Sequence, residues 1–175
     1  MSKYPRVQAK LKTELDAYQS REMIFDEVDN LNYLDCVINE ILRFRTPFPG
    51  VTRTLTADDR LPFTGFLLHE GDEICVPLYN LAHDKRLWKI DPDLFYPERF
   101  QTDDKDNLAF VSIAFGGGHR QCIGQDLARF ELKTIITRLM QNVTFGDGGE
   151  QVNAGGYFQR LSTVPKSLGV TITFD

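Results

Sequence analysis

The most distinctive stretch of this 175-residue sequence is Phe115-Gly116-Gly117-Gly118-His119-Arg120-Gln121-Cys122-Ile123-Gly124. Three consecutive glycines permit positive φ angles and allow the backbone to approach a flat ligand closely. A long helix is predicted from Ile123 to Met140, with Cys122 at its start, by the apolar stripe Ile123, Leu127, Phe130, Ile135 and Leu139. Unpaired backbone N–H groups and the helix dipole at such a position stabilise an anionic thiolate, the form of cysteine that binds metals.

Two neighbours of Cys122 restrict the kind of ligand. Arg120 adds a cation suited to a carboxylate, and Gly124 removes a side chain from the predicted first helical turn. Together these features suit a thiolate bound to something large, flat, metallic and carboxylated. Haem held by a cysteine thiolate meets that description.

Three other interpretations of the stretch stay open on the residues alone. A single cysteine near a helix start is most often a small buried residue. It can also be a redox-active thiol. A glycine-rich loop before a helix can bind phosphate, although neither Gly-Lys-Ser/Thr nor Gly-x-Gly-x-x-Gly occurs in this sequence. The spacing Phe-x-x-Gly-x-Arg-x-Cys-x-Gly is more specific than any of these alternatives.

Two amphipathic helices are predicted near the N-terminus. The first follows Pro5, a residue tolerated in a first helical turn, and its apolar residues recur at steps of three or four: Val7, Leu11, Leu15 and Tyr18. The second runs from Asn32 to Phe44, and its apolar stripe consists of Leu34, Val37, Ile38, Ile41 and Leu42. Pro47 and Pro49 end it.

The remaining sequence predicts short strands and one long loop. Leu61–Leu68 and Glu73–Leu78 are predicted as strands that flank the turn at residues 69–72. Residues 80–107 form an irregular loop rich in aromatic residues. Further strands are predicted at Val143–Phe145, Tyr157–Leu161 and Val170–Phe174. The expected fold class is mainly α with a small β part (α+β).

A second constellation combines charged residues with an apolar helix. Glu40 and Arg43 are three residues apart on the predicted second helix, so their side chains can pair on one face. On a solvated face such a pair contributes about 0.5 kcal/mol or less. In a mostly apolar helix, however, the charges need buried partners, and Arg99 within Pro97-Glu98-Arg99-Phe100 is the candidate third member.

Composition excludes several classes of protein. Hydrophobic residues make up 42% of the chain, as in globular domains and unlike disordered ones. The 25 acidic residues outnumber the 20 basic ones, and the resulting net charge of -5 argues against nucleic-acid binding. No apolar run in the sequence approaches the roughly 20 residues that span a bilayer. The three cysteines are widely spaced and do not indicate a disulfide framework.

In their order along the chain, these motifs resemble the C-terminal part of a cytochrome P450. Glu40-x-x-Arg43 comes first, Pro97-Glu98-Arg99-Phe100 second, and Phe115-x-x-Gly118-x-Arg120-x-Cys122-x-Gly124 third. The resemblance covers essentially the whole chain. It implies that residues 1–175 are the C-terminal, haem-thiolate portion of the cytochrome P450 fold, and an incomplete domain.

The resemblance also implies a role for each motif residue. Cys122 would bind the iron of haem b (iron protoporphyrin IX) as an axial thiolate, and Phe115 would shield the sulfur. Arg120 and Arg53 would contact haem propionates. The implied cofactor-binding positions are Arg53, Phe115, Gly118, Arg120, Cys122 and Gly124. The implied buried structural triad consists of Glu40, Arg43 and Arg99.

Family members are much longer, so the resemblance implies that this chain holds one side of the haem site. The central helix of the distal haem face, with its oxygen-activating acid–threonine pair, has no match here, and no catalytic residue is expected in this sequence. Monooxygenation is expected of the longer enzyme, whereas the isolated chain is expected to be inactive, with Phe115 and parts of the stripes at 7–15 and 34–42 partly exposed. The alternative is a truncated, non-catalytic remnant that binds haem or lacks it.

The resemblance implies an NADPH-dependent reductase or a ferredoxin as electron donor, a small organic substrate and, for a longer enzyme of eukaryotic type, the endoplasmic reticulum membrane. Residues 46–52 and 160–162 resemble pieces that line substrate pockets. Phe48 and Val51 favour an apolar substrate, although packing of the loop explains them equally well. Three basic residues of the predicted long helix indicate either a docking patch for the electron donor or a solvated helix face: Arg129, Lys133 and Arg138.

Overall fold

The computed structural model describes residues 1–18, 21–107, 113–159 and 162–175. Its α-helices are α1 (Pro5–Leu15), α2 (Phe25–Asp29), α3 (Asn32–Phe44), α4 (Leu78–Ala82), α5 (Gln125–Asn142) and α6 (Glu150–Asn153). Its strands are β1 (Val51–Thr54), β2 (Asp59–Arg60), β3 (Leu67–Leu68), β4 (Glu73–Val76), β5 (Val143–Asp147), β6 (Tyr157–Gln159), β7 (Thr163–Pro165) and β8 (Val170–Phe174). The predicted class, mainly α with a small β part, is confirmed.

The core forms where α1, α3 and α5 pack together. Both helices predicted near the N-terminus are confirmed, and α3 has the predicted bounds. Most residues of these two stripes are buried, so the exposure expected for parts of them is confined to one position; the buried residues are Val7, Leu11, Leu15, Leu34, Val37, Ile38 and Leu42. Ile41 is the exception in the predicted stripe of α3, since 36% of its surface is exposed.

A carboxylate of α1 holds the start of α3. Glu14 accepts hydrogen bonds from the backbone N–H groups of Tyr33 (2.7 Å) and Leu34 (2.9 Å). Leu31 at the N-cap position of α3 has no side chain that could satisfy these donors. The negative charge also lies at the positive end of the helix dipole. Glu14 therefore caps α3 from a different helix and fixes how the two pack.

The strands form antiparallel pairs, and in the described ranges these are β1 with β4, β2 with β3, β5 with β8, and β6 with β7. The long strand predicted at Leu61–Leu68 is wrong, because only β3 is extended there. Pro62 and Gly65 turn the chain, with the Gly65 N–H bonded to the Leu61 carbonyl oxygen at 3.0 Å. Phe63 adopts a φ of 69° in this turn. Of the strand predicted at Tyr157–Leu161, Leu161 lies outside the described residues.

The longest helix, α5, begins later and presents a different face to the core than the sequence predicts. It starts at Gln125 with Gly124 as N-cap residue, instead of at Ile123. Leu127 and Ile135 of its predicted apolar stripe are 62% and 56% exposed. The side chains that α5 buries are Lys133, Thr137 and Met140. Neither α5 nor any other helix within the described ranges has the length and apolar character needed to cross a membrane.

Removing the carboxylate of Glu14 should weaken the α1–α3 contact. We expect Glu14→Ala to lower the free energy of unfolding by about 1–2 kcal/mol, because two donors at the start of α3 lose their acceptor. Denaturant titration followed by far-UV circular dichroism measures this loss. Glu131→Ala, an exposed change on α5, serves as the control; an equal loss in both variants would contradict the capping role.

Candidate functional site

The glycine-rich stretch folds into a loop that brings Cys122 back to Phe115. The Cys122 N–H donates to the Phe115 carbonyl oxygen at 2.9 Å, and a 3₁₀ turn at Gly118–Arg120 lies between them. Gly116 and Gly118 have φ angles of 79° and 67°, in the left-handed region that side chains other than glycine rarely adopt. The two glycines thus permit the loop that sets the position of the cysteine.

Cys122 is the cysteine best placed to bind a ligand. It is free and exposed, and it lies three residues before α5, so the expectation that it occupies the helix start is wrong. A side chain at Gly124 would bring its Cβ to 4.0 Å from the Cys122 Sγ atom. Cys36 is buried, and burial raises the pKa of its thiol to about 11. Cys75 is exposed on β4, far in sequence from the glycine-rich loop.

Phe115 anchors this loop to the helices behind it. Its ring is half-buried against the core, and the Arg129 guanidinium lies 5.7 Å from the ring centroid. Arg129 donates from Nη1 to the Asn39 Oδ1 atom of α3 at 2.9 Å. Burial lowers the pKa of Arg129. A chain of contacts thus joins the cysteine loop to α5 and α3.

The two arginines implied as propionate ligands, Arg53 and Arg120, are both exposed. Arg53 lies on β1 and donates from Nη1 to the carbonyl oxygen of Thr52 at 2.9 Å. Neither arginine forms an ion pair with a carboxylate inside the described part of the chain. An exposed thiol on a glycine-rich loop, together with two guanidiniums that have no carboxylate partner among the described residues, supplies the donor types that a metal macrocycle with two carboxylates needs. The residues present therefore fit haem.

The structure brings Glu40, Arg43 and Arg99 into one fully buried cluster. Arg43 donates two hydrogen bonds to the Glu40 carboxylate, Nε to Oε2 and Nη2 to Oε1, each at 2.8 Å. Arg99 donates from Nε to the same carboxylate at 3.2 Å. The Tyr96 N–H adds a further hydrogen bond to Glu40 at 2.8 Å. One carboxylate therefore joins α3 to the 3₁₀ turn at Pro97–Gln101.

Asp104 is a fourth member that the sequence motifs did not reveal. It is fully buried and accepts a hydrogen bond from Arg99 Nη1 at 3.2 Å. It also accepts hydrogen bonds from the backbone N–H groups of Lys89 (2.8 Å) and Ile90 (3.2 Å). Two carboxylates and two guanidiniums make the cluster electrically neutral, which lowers the cost of burying it. Its neighbour Asp103 is exposed, and no sequence pattern distinguishes the two.

Backbone carbonyl groups satisfy the remaining donors of the two guanidiniums. Arg43 donates to Ala82 and Pro92, and Arg99 donates to Ile90, Asp91 and Leu94, at distances of 2.8–3.0 Å. The Trp88 ring lies against both cations, at 5.1 and 5.5 Å from their central carbons. The two guanidiniums thus hold residues 82–94 of the predicted irregular loop in place through hydrogen bonds to its backbone.

The three basic residues of α5 do not form a free basic patch. Lys133 is buried and pairs with Asp29 (3.1 Å) and Asp35 (2.9 Å), which fixes α5 to α2 and α3. Arg129 is held by Asn39 and Phe115, as described above. Arg138 lies 3.8 Å from the Glu22 carboxylate. Both interpretations from the sequence, a docking patch and a solvated face, are wrong for Lys133.

Comparison with known proteins points to one family. The profile of the family described as "Cytochrome P450" matches residues 1–167. Cytochrome P450 3A7 of Homo sapiens is 33% identical over 148 residues, which cover 83% of this chain and 29% of the relative. Cytochrome P450 3A28 of Bos taurus is 31% identical over 188 residues, covering 100% of this chain and 36% of the relative.

A similar match comes from a more distant animal. The putative cytochrome P450 CYP13A7 of Caenorhabditis elegans is 33% identical over 156 residues, which cover 87% of this chain and 30% of that protein. The chain thus spans about a third of the length of the curated relatives it matches.

Neutralising Asp104 should destabilise the protein strongly. Asp104→Asn keeps the side-chain shape but leaves the buried cluster with one excess positive charge, at an expected cost of about 3–5 kcal/mol of unfolding free energy. Denaturant titration checks this. The neighbouring Asp103→Asn, at an exposed position, should change stability by less than about 0.5 kcal/mol. Equal stabilities of the two variants would show that the cluster does not depend on its charge balance.

Proposed function

Because the chain belongs to the cytochrome P450 family, we propose that it forms the thiolate side of the haem site of a monooxygenase. The observation that carries this proposal is the exposed Cys122 thiol on a loop that two positive-φ glycines shape. The chemistry supplied by bound haem b is reductive activation of O₂, with transfer of one oxygen atom to an organic substrate.

In this proposal Cys122 binds the haem iron through its thiolate, and the surrounding residues set its position. Gly116 and Gly118 permit the loop conformation, and Phe115 holds the loop against the core. By resemblance to the family, the Phe115 ring would shield the sulfur from water. Gly124 lies beside the Sγ atom, since a Cβ there would be in van der Waals contact with it at 4.0 Å.

Two cations would bind the haem carboxylates. Arg53 on β1 and Arg120 in the cysteine loop are exposed and carry no carboxylate partner among the described residues. A propionate would supply the missing negative charge to each, through charge-assisted hydrogen bonds.

The cluster of Glu40, Arg43, Arg99 and Asp104 would support this site without touching the cofactor. It fixes α3 against the loop at residues 82–104. Asn39, the neighbour of Glu40 on α3, holds Arg129, and Arg129 packs on Phe115. The buried charges and the cysteine loop are therefore coupled through one helix.

We further propose that residues 1–175 are the C-terminal part of a longer domain. The relatives are about three times as long, and the acid–threonine pair expected for oxygen activation has no match in this sequence. The remaining side of the site would come from sequence outside these residues. The electron donor would be an NADPH-dependent reductase or a ferredoxin, and the substrate a small organic molecule. For a longer enzyme of eukaryotic type, the location would be the endoplasmic reticulum membrane.

The thiolate assignment is tested in the complete haem-containing protein. We expect its reduced carbon monoxide complex to show the red-shifted Soret band of thiolate-ligated haem, and Cys122→Ala to abolish that band because no other ligand replaces the sulfur. Cys75→Ala, which removes the other exposed cysteine, should leave the spectrum intact. An unchanged spectrum in Cys122→Ala would refute the assignment.

The isolated chain should bind haem weakly and catalyse no coupled monooxygenation. Ile123 and Leu127 beside the cysteine loop are 106% and 62% exposed, so water would reach a haem bound there. The assay combines purified residues 1–175, haem, NADPH and a reductase, and follows product and peroxide against a control without the chain. Turnover above about 1 per second, a rate typical of enzymes, would show that these residues are self-sufficient.

A further inference from the structure

Arg129 is a half-buried cation beside the cysteine loop. It lies in the second turn of α5, and its guanidinium is 5.7 Å from the centroid of the Phe115 ring. The carbonyl oxygen of Phe115 accepts a hydrogen bond from the Cys122 N–H at 2.9 Å. A single residue, Phe115, therefore connects the charge of Arg129 to the backbone of the proposed iron ligand.

Two contacts hold the guanidinium of Arg129 in this position. Its Nη1 atom donates to the Asn39 Oδ1 atom at 2.9 Å, on the same helix as Glu40 of the buried charge cluster. The face of an aromatic ring attracts a cation, and this attraction grows where water is excluded. The helix on one side and the Phe115 ring on the other therefore keep the charge at a defined distance from the loop.

The charge of Arg129 has no direct counter-charge. No carboxylate of the residues described forms an ion pair with it, and two aspartates act on it from farther away. Asp35 is already paired with Lys133 at 2.9 Å, and Asp126 is exposed, so water screens its charge. Burial lowers the pKa of Arg129, but a guanidinium stays protonated in proteins. A half-buried positive charge thus remains next to the loop.

Arg120 is closer to Cys122 in sequence but differs from Arg129 in two respects. It is exposed, so water weakens its electric field. In the proposed site a haem propionate also neutralises its charge. A charge acts more strongly where burial lowers the effective dielectric constant. Arg129 is therefore the cation better placed to influence the charge of the thiolate.

We infer that Arg129 is a positioning residue of the haem site, and that its charge raises the reduction potential of the iron that Cys122 binds. The inference rests on the proposed function and concerns how that site is tuned. The electron donor supplies one electron to the ferric iron, so the site gains one negative charge while no bond forms or breaks. A fixed positive charge stabilises the ferrous product of this step more than the ferric reactant. Charge and burial around an axial ligand are known to set haem potentials.

The test measures the reduction potential of the complete haem-containing protein by reductive titration followed in the absorption spectrum. We expect Arg129→Gln to lower the ratio of ferrous to ferric iron at a given applied potential by about tenfold, which is a shift of about 59 mV for a one-electron couple. Arg129→Lys keeps the charge and loses the planar guanidinium. Its ratio should stay within about threefold of that of the unchanged protein.

A second variant cancels the charge and leaves the arginine in place. Asn39→Asp puts a carboxylate oxygen where Arg129 now contacts the Oδ1 atom. The resulting ion pair should lower the ratio of ferrous to ferric iron by about tenfold as well. Arg138→Gln is the control, because it makes the same substitution at an exposed position of α5. It should change the ratio by less than about twofold.

Equal decreases in Arg129→Gln and Arg129→Lys would overturn the inference, since the packing of the side chain would then set the potential. An unchanged potential in Arg129→Gln or in Asn39→Asp would overturn it too. If Arg129→Gln takes up no haem, Asn39→Asp decides alone. The reduced carbon monoxide spectrum of the same samples separates the two proposals. A normal thiolate band with an unaltered potential contradicts this inference alone, whereas a missing band in the unchanged protein contradicts the proposed function.

Discussion

The rest of this structure depends on the hydrogen bonds that the buried Glu40 carboxylate accepts. This carboxylate receives hydrogen bonds from two fully buried guanidiniums and from one backbone N–H. Burying these charges is tolerable only because the second carboxylate, Asp104, brings the cluster to neutrality. The loop at residues 82–104 has little regular secondary structure, and side-chain hydrogen bonds from the cluster to its backbone hold it in place. The same buried charge cluster therefore contributes to the stability of the fold and sets the conformation of the loop at residues 82–104.

The cysteine loop depends on the buried charge cluster indirectly, through contacts with α3. Arg129 links its aromatic anchor, Phe115, to Asn39, and Asn39 is adjacent to Glu40 on α3. Within the loop, Gly116 and Gly118 adopt positive φ angles, and this backbone conformation brings the Cys122 N–H to the Phe115 carbonyl oxygen. Rigid support from a helix and conformational freedom in the loop are both needed to hold a ligand at a defined place.

Sequence reasoning predicted the parts of this molecule that local patterns determine. α1 and α3 follow from apolar periodicity, and the loop at residues 115–124 follows from its glycines and cysteine. The same reasoning missed Asp104, because nothing in the sequence distinguishes an aspartate that is buried against Arg99 and the backbone of residues 89–90 from its exposed neighbour Asp103. It also failed at residues 61–68, where Pro62 and Gly65 turn the chain despite the apolar residues around them. In the first place burial decides the structure, and in the second the turn residues do, and neither follows from apolar periodicity.

The pattern of burial along α5 differs from the one that its apolar residues predict. Its inner face carries Lys133, whose charge Asp29 and Asp35 satisfy, so charge pairing fixes this helix to α2 and α3. Several of its apolar side chains are exposed instead, and these are Leu127, Leu132, Ile135 and Leu139. Each Å² of apolar surface left in water forgoes about 25 cal/mol, so this face gains stability only when another surface covers it. Under the proposed function the covering surface is haem and the remaining domain. That function therefore accounts for the apolar outer face of a helix that starts three residues after the thiolate.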